Sequence, residues 1–392
     1  MYIAILGRQP AIGMAELEHL YGADSTRWFS EQSATIKTNK ISIERLGSVQ
    51  KIGKVVFELP HGDWQRVSMK IVQMYREKWS SIEGKITVGI SAYGFTTTPH
   101  DVQRTGILLK QKLKKDGVSV RAIPNQDTAL NTATAHHNKL GLSSSRVEII
   151  AVRAKNGRII VAESEGSQNI TSLARRDQGR PKRDAFVGML PPKLAMTIIN
   201  LASDSSDPRD YTKRLLDPFC GTGVILQEAS LMGYQVYGTD LAEKMVDFTQ
   251  ANLEWLSSSL NVQVESTLST GDAMTTNWQQ PVDAVACESY LGQPFSAPPS
   301  PTKLAEVRKN CNHIISSFLK NIGKQLQPGT PLCVAVPAWK DIDGKFTHLP
   351  LVTDLSRLGF AEYEFRNISP EQLLYYREEQ VVARQLLVMK KI

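Results

Sequence analysis

Residues 217–223 read DPFCGTG and residues 235–240 read QVYGTD. The first run follows the apolar pair Leu215-Leu216, and the second, one helix later, ends in an acid. That order predicts a strand, a glycine turn, a helix, a second strand and an acidic tip. The spacing from Gly223 to Asp240 suits one crossover helix over 224–232 and one strand. In such a unit the turn lies against a nucleoside, and the terminal carboxylate takes two ribose hydroxyls. The turn has neither the third glycine of a GxGxxG fingerprint nor the lysine of a P-loop. Pyrophosphate-bearing cofactors therefore fit poorly, and S-adenosylmethionine fits better.

Alternation continues downstream. Helical patterns cover 242–256, 302–326 and 349–358, and strand patterns cover 262–267, 282–287, 332–337, 361–368 and 380–389. A helix over 191–202 and a loop at 204–210 precede the first strand. The fold class predicted is α/β, a doubly wound sheet whose last strand is antiparallel. Ligands of such sheets sit beyond the carboxyl ends of the strands. Four acids fall there: Asp217, Asp240, Asp272 and Glu288. Asp240 is expected on the ribose hydroxyls and Asp272, followed by Ala273, on an adenine amine. Asp217 and the turn Cys220, Gly221, Thr222 and Gly223 face the methionine part, with Phe219 and Leu241 beside them.

At 392 residues the chain has room for two or three domains. No apolar run approaches the ~20 residues of a membrane span. The N-terminus has too short an apolar stretch, and no basic region before it, for a signal peptide. Cys220, Cys287, Cys311 and Cys333 form no CxxC pair, so no metal site is expected, and they read as reduced thiols of a cytoplasmic protein. The adjacent His136 and His137 point apart on a helix and read as structural or as part of an RNA surface. Formal charge is +7, but residues 1–169 carry +8, residues 170–215 carry +4 and residues 216–392 carry −5. A basic front half joined to an acidic nucleoside-binding half suggests a polyanionic partner.

The front half reads as small α+β modules. Strands are expected at 1–6, 33–38, 86–91, 118–123, 146–154 and 158–163, and helices at 13–21, 65–79, 101–116 and 131–140, with a hairpin turn at 155–157. Lys110 and Lys114 share one helix face, a like-charge arrangement that suits an anionic partner. Residues 166–190 read as a polar, basic connector, in which Arg175, Arg176, Arg180, Lys182 and Arg183 are suited to phosphates.

DPFCGTG, YGTD, GDA and the strand ending in ESYLG, taken with ISAYGFTTTPHDVQRTGILLKQKLKKDG over 90–117 and the run 174–202, resemble the tRNA guanine-10 N2-methyltransferases of the THUMP-containing class I methyltransferases. The resemblance covers nearly the whole chain. It implies a ferredoxin-like domain over 1–62, a THUMP RNA-binding domain over 63–165, a linker over 166–190 and a Rossmann-like methyltransferase domain with a seven-stranded sheet over 191–392. It further implies S-adenosylmethionine as cofactor, tRNA as substrate and, for some members, a small zinc-containing activator protein. Gly188, Met189 and Leu190 would line the cofactor pocket.

The family's fourth-strand motif is Asp or Asn, two prolines and an aromatic. This chain has Glu288-Ser289-Tyr290-Leu291-Gly292 instead. Glu288 and the Ser289 carbonyl are expected to accept N–H bonds from the target amine, and Tyr290 to stack on the flipped base. Two alternatives stay open. One is methylation of another exocyclic amine, adenine N6 or a ribosomal RNA guanine. The other is a tRNA-binding protein without catalysis.

Overall fold

The computed structural model describes residues 1–184, 189–203, 213–279 and 281–392. Gly188 and the expected loop at 204–210 lie outside the described residues. The chain divides into two compact units, one almost wholly from residues 1–172 and the other almost wholly from 173–392.

The first unit runs β1 (Tyr2–Leu6), α1 (Pro10–Tyr21), β2 (Thr26–Ser30), β3 (Ser33–Ile36), β4 (Val49–Leu59), α2 (Trp64–Trp79), β5 (Lys85–Tyr93), α3 (Pro99–Lys115), β6 (Ser119–Ala122), α4 (Thr132–His137), β7 (Arg146–Arg153) and β8 (Ile159–Ser167). Its strands form one sheet in the order β2-β3-β1-β4-β8-β7-β5-β6. Two of them, β2 and β4, lack a clear period in the sequence. β4 pairs antiparallel with β8, which joins the segments 1–62 and 63–165 in one continuous sheet. Asp63 caps α2 by accepting from the Arg66 amide at 2.8 Å, and Thr98 caps α3 with Pro99 in its first turn. The helices bury Val67, Ile71, Tyr75, Val102, Leu109 and Leu113 against Ile86, Val88, Ile149 and Val161 of the sheet. Lys110 and Lys114 are exposed on α3.

The second unit contains α5 (Ile170–Gln178), α6 (Pro192–Leu201), β9 (Arg214–Asp217), α7 (Val224–Leu231), β10 (Gln235–Asp240), α8 (Glu243–Leu260), β11 (Ser266–Thr270), β12 (Ala284–Glu288), α9 (Pro301–Gly323), β13 (Pro331–Lys340), β14 (Phe346–Thr347), β15 (Phe360–Glu362), β16 (Leu374–Tyr375) and β17 (Val382–Lys391). Its main sheet has the order β11-β10-β9-β12-β13-β17-β15. The first five strands pair in parallel, and β17 runs antiparallel between β13 and β15. This is a doubly wound, seven-stranded main sheet of the kind the resemblance implies. The central strands bury almost every residue, as strands covered on both faces must.

Three local expectations change. Residues 349–358 do not form an α-helix: Pro350 starts one 3₁₀ turn, Asp354 leaves the helical region at φ −135°, and a second 3₁₀ turn follows. The strand expected at 262–267 begins at Ser266, because α8 ends at a left-handed Asn261 and pairing with Val236 sets the register. The strand expected at 361–368 is only Phe360–Glu362, an edge strand held by β17. Within the expected linker, residues Ile170–Gln178 are helical.

Candidate active site

β9 delivers Asp217 to the carboxyl edge of the sheet, where the chain turns through Pro218–Gly223 into α7. Gly221 and Gly223 hold φ of +53° and +78°, values that exact a steric cost from any residue with a Cβ. A Cβ on Gly223 would also lie 2.8 Å from the Thr249 methyl. The turn is pinned from below. The Cys220 amide donates to the Thr239 carbonyl at 2.9 Å, and the Gly223 amide to the Cys220 carbonyl at 2.7 Å. From α8, Thr249 donates to the Gly221 carbonyl at 2.9 Å and Asn252 to the Thr222 carbonyl at 2.8 Å. The Asn252 amide also exchanges two 2.9 Å hydrogen bonds with the Lys182 backbone. Thr249 and Asn252 escape a motif search; their signal is two polar residues three apart on the buried face of α8.

Asp240 ends β10. One of its oxygens accepts from the Gly221 amide and the other from the Ala242 amide, each at 3.0 Å. Each oxygen keeps lone-pair capacity for a ligand hydroxyl. Asp272 accepts from the Met274 amide through Oδ1 at 2.9 Å. Glu288 ends β12, and its Oε1 accepts from Arg384 Nε of β17. Ser289 is buried, with both its amide and its hydroxyl donating to the Ala335 carbonyl at 2.9 Å. Tyr290 is exposed.

These groups surround one cavity of about 930 Å³. Every residue expected to be catalytic lines it, and so does every residue expected on the cofactor except Gly223, which sits behind the turn, and Gly188, which lies outside the described residues. Phe219 reaches it while packing edge-on against Phe318, with ring centroids 5.1 Å apart. Leu241 is highly exposed at the rim, whereas Ala273 and Leu190 are buried. Arg384 also lines the cavity and was not anticipated. Its sequence signal is a lone cation inside the apolar run VVARQLLVM.

Asp217 is buried, and burial pushes its carboxyl well above the usual carboxylate range, with the charges of Asp240 and Glu288 adding to the effect. A hydrogen bond from the Phe219 amide at 3.1 Å opposes the shift. A raised folded-state value means that this group's contribution to stability is full below its unfolded value of about 3.9 and is lost as pH rises through the folded value. Asp217→Asn keeps the acceptor for Phe219 and removes the titration. Urea unfolding between pH 4 and pH 9 is expected to show a smaller alkaline loss of stability in this variant than in the wild type. Parallel curves for the two proteins would contradict the assignment.

The basic cluster changes. Arg175, Lys182 and Arg183 are exposed, although Arg175 also donates to the Ser259 carbonyl at 2.9 Å. Arg176 and Arg180 are buried. Arg176 grips the Glu228 carboxylate of α7 with two bonds of 2.7 and 3.0 Å, and Arg180 donates to Met189 Sδ at 3.3 Å. Burial withdraws these two cations from any phosphate surface. Among the described residues no group of three or more His, Cys, Asp or Glu could hold a metal, and no helix is long and apolar enough to cross a membrane.

The cavity suits S-adenosylmethionine on its own evidence. A Cβ on Gly221 would meet nothing nearer than 3.9 Å, so open space lies over the turn. Acceptors for ribose and for an exocyclic amine flank that space. Residues 180–342 match the family model of the RMKL-like methyltransferase domain. Fold, site and matched segment thus resemble those of class I, S-adenosylmethionine-dependent methyltransferase domains. The chain is 30% identical over 176 residues to a tRNA (guanine(10)-N2)-dimethyltransferase of Methanothermobacter thermautotrophicus, covering 44% of this chain and 47% of that one. It is 46% identical over 66 residues to the enzyme of that name from Pyrococcus abyssi, covering 17% and 18% of the two chains. The chain thus spans less than half the length of these curated relatives. The crystal structure of TrmN from Thermus thermophilus aligns over 100% of this chain and 99% of its own, with 19% identity and a TM-score of 0.51, a likeness of fold.

Proposed function

We propose that the protein transfers a methyl group from S-adenosylmethionine to the exocyclic N2 of a guanosine in tRNA, at position 10. The observation that carries this reading is the convergence of four carboxylates on one cavity, with Glu288 and the exposed Tyr290 together at its wall. The named activity of the matched relatives supports the choice of base and position. When bound, S-adenosylmethionine supplies an electrophilic methyl on a sulfonium centre.

The residues of the chain do the rest. Asp240 offers its remaining lone pairs to two ribose hydroxyls, and Asp272 offers Oδ2 to the adenine amine. The lone pair of guanine N2 is delocalised into the ring, which makes it a poor nucleophile. Glu288, accepting an N–H bond of that amine through Oε2, favours the geometry in which nitrogen can attack. Tyr290 stacks on the base. Catalysis is then mainly positioning. Residues 1–62 serve as a ferredoxin-like domain and residues 63–165 as a THUMP domain. Its exposed Lys110 and Lys114, together with Arg175, Lys182 and Arg183 of the 166–190 linker, meet tRNA phosphates in the cytoplasm. A small activator protein is a further partner that the resemblance suggests.

The test is methyl transfer from labelled S-adenosylmethionine to unmodified bulk tRNA, followed by nucleoside analysis. N2-methylguanosine, or its dimethyl form, is expected. N6-methyladenosine would move the target to another amine. Salt-sensitive tRNA binding without transfer would leave a binding protein, and failure of an added activator to restore transfer would exclude a missing subunit.

A further inference from the structure

Arg384 occupies an unfavourable place for a cation. It stands on β17 opposite Pro337 of β13, is 7% exposed, and has Ala383, Leu386 and Leu387 buried along the same strand. Burying a guanidinium costs free energy that only a well-formed partner offsets. Among the described residues the partner is Glu288, which takes the Nε–H on Oε1. Among the described residues the four remaining N–H bonds of Arg384 and the second oxygen of Glu288 make no further hydrogen bond, and both side chains line the cavity. The pair is therefore half satisfied by the protein and half presented to whatever enters.

The sequence supplies the reason for such a device. Glutamate carries one more methylene than the aspartate or asparagine of the motif it resembles, hence one more rotatable bond between backbone and carboxylate. Unrestrained, that carboxylate samples several rotamers. Fixing Oε1 on a planar, buried guanidinium removes the freedom and gives Oε2 a single direction.

We infer that Arg384 is a positioning residue for methyl transfer: its Nε–H holds Glu288 so that the free oxygen receives the amine of the incoming base. The inference rests on the methyltransferase reading above and extends it to a residue two strands away, across β13.

The experiment measures single-turnover methyl transfer to tRNA, S-adenosylhomocysteine affinity by calorimetry and thermal unfolding. It compares wild type, Arg384→Ala and Arg384→Lys. In Arg384→Ala the rate is expected to fall about 100-fold, the effect of displacing a reacting group by about an ångström. Cofactor affinity should stay within about twofold, because the lost contact is made to Glu288 and not to the nucleoside. Added methylguanidinium should restore part of the rate. Arg384→Lys keeps the charge but has no planar Nε donor. It is expected to fold and to remain about tenfold slow. A wild-type rate in either variant overturns the inference, and so does a loss of rate that tracks loss of cofactor binding. An Arg384→Ala protein that does not fold leaves the decision to Arg384→Lys. Absence of transfer by the wild type instead counts against the function proposed above, and the two failures are separable.

Discussion

Glu288→Gln is expected to slow methyl transfer roughly a thousandfold, the upper end of what one pre-organised polar group contributes in an enclosed site. S-adenosylhomocysteine should bind within about twofold of wild type. Gln was chosen over Ala because its carbonyl can still accept from Arg384 Nε, so the buried guanidinium keeps a partner. What the amide cannot do is place a second acceptor toward the base. Its NH₂ would instead meet the N–H bonds of the target amine, donor against donor. The kinetic signature is a fall in kcat with little change in cofactor affinity, as for an interaction made chiefly in the transition state. A kcat within about threefold of wild type would remove Glu288 from the chemistry and shift attention to the Ser289 carbonyl.

The placement of that carboxylate follows from the sheet. β9, β10 and β12 are parallel neighbours, so their carboxyl ends bring Asp217, Asp240 and Glu288 to one edge. The chain concentrates negative charge there and moderates it unequally. Asp240 is held by two backbone amides and Glu288 by a guanidinium, whereas Asp217 is left deep and desolvated. A cationic sulfonium cofactor suits such an edge better than a polyphosphate would. This agrees with the absence of a pyrophosphate-type glycine pattern in the turn.

The part of the site legible in the sequence was the part made by contiguous backbone. The DPFCGT part of the turn, the acids that end β10 and β12 and the acid just after β11 are each set by local chain geometry, and all line the cavity. The partnerships were hidden because they join residues far apart in the chain. Glu288 meets Arg384 across 96 positions and Arg176 meets Glu228 across 52. A run of basic residues also carries no sign of which cations turn inward. Arg176 and Arg180 sit on or just beyond a short helix whose buried side includes Leu173, yet their charge alone reads as surface. In the fold, strands with strong apolar runs were evident. β4 was not, and β15 was expected too long, since pairing with distant β8 and β17 decides where these strands begin and end.

The Arg176–Glu228 pair gives the largest expected effect on stability. Glu228→Ala should cost about 3–5 kcal/mol, because it leaves a buried guanidinium without its carboxylate. For a unit of this size that corresponds to a drop of about 10 °C in Tm. Arg180 deepens the loss, being buried as well and 3.9 Å from its nearest carboxylate oxygen, on Asp177. The intact pair nevertheless carries a desolvation cost of its own. Burial pushes the Glu228 carboxyl upward by more than Arg176 and Arg180 pull it down. Replacing both partners together, as Arg176→Met with Glu228→Met, should therefore recover more than half of the single-variant loss. Thermal melts of the three variants decide the matter. A Glu228→Ala loss below about 1 kcal/mol would mean that the pair behaves as a solvated surface contact. A double variant as unstable as the single one would mean that the two bonds between α5 and α7 themselves stabilise the unit. The site has a stake in the outcome, since α7 begins at Gly223 and any slackening of its seat reaches the turn beneath the cofactor.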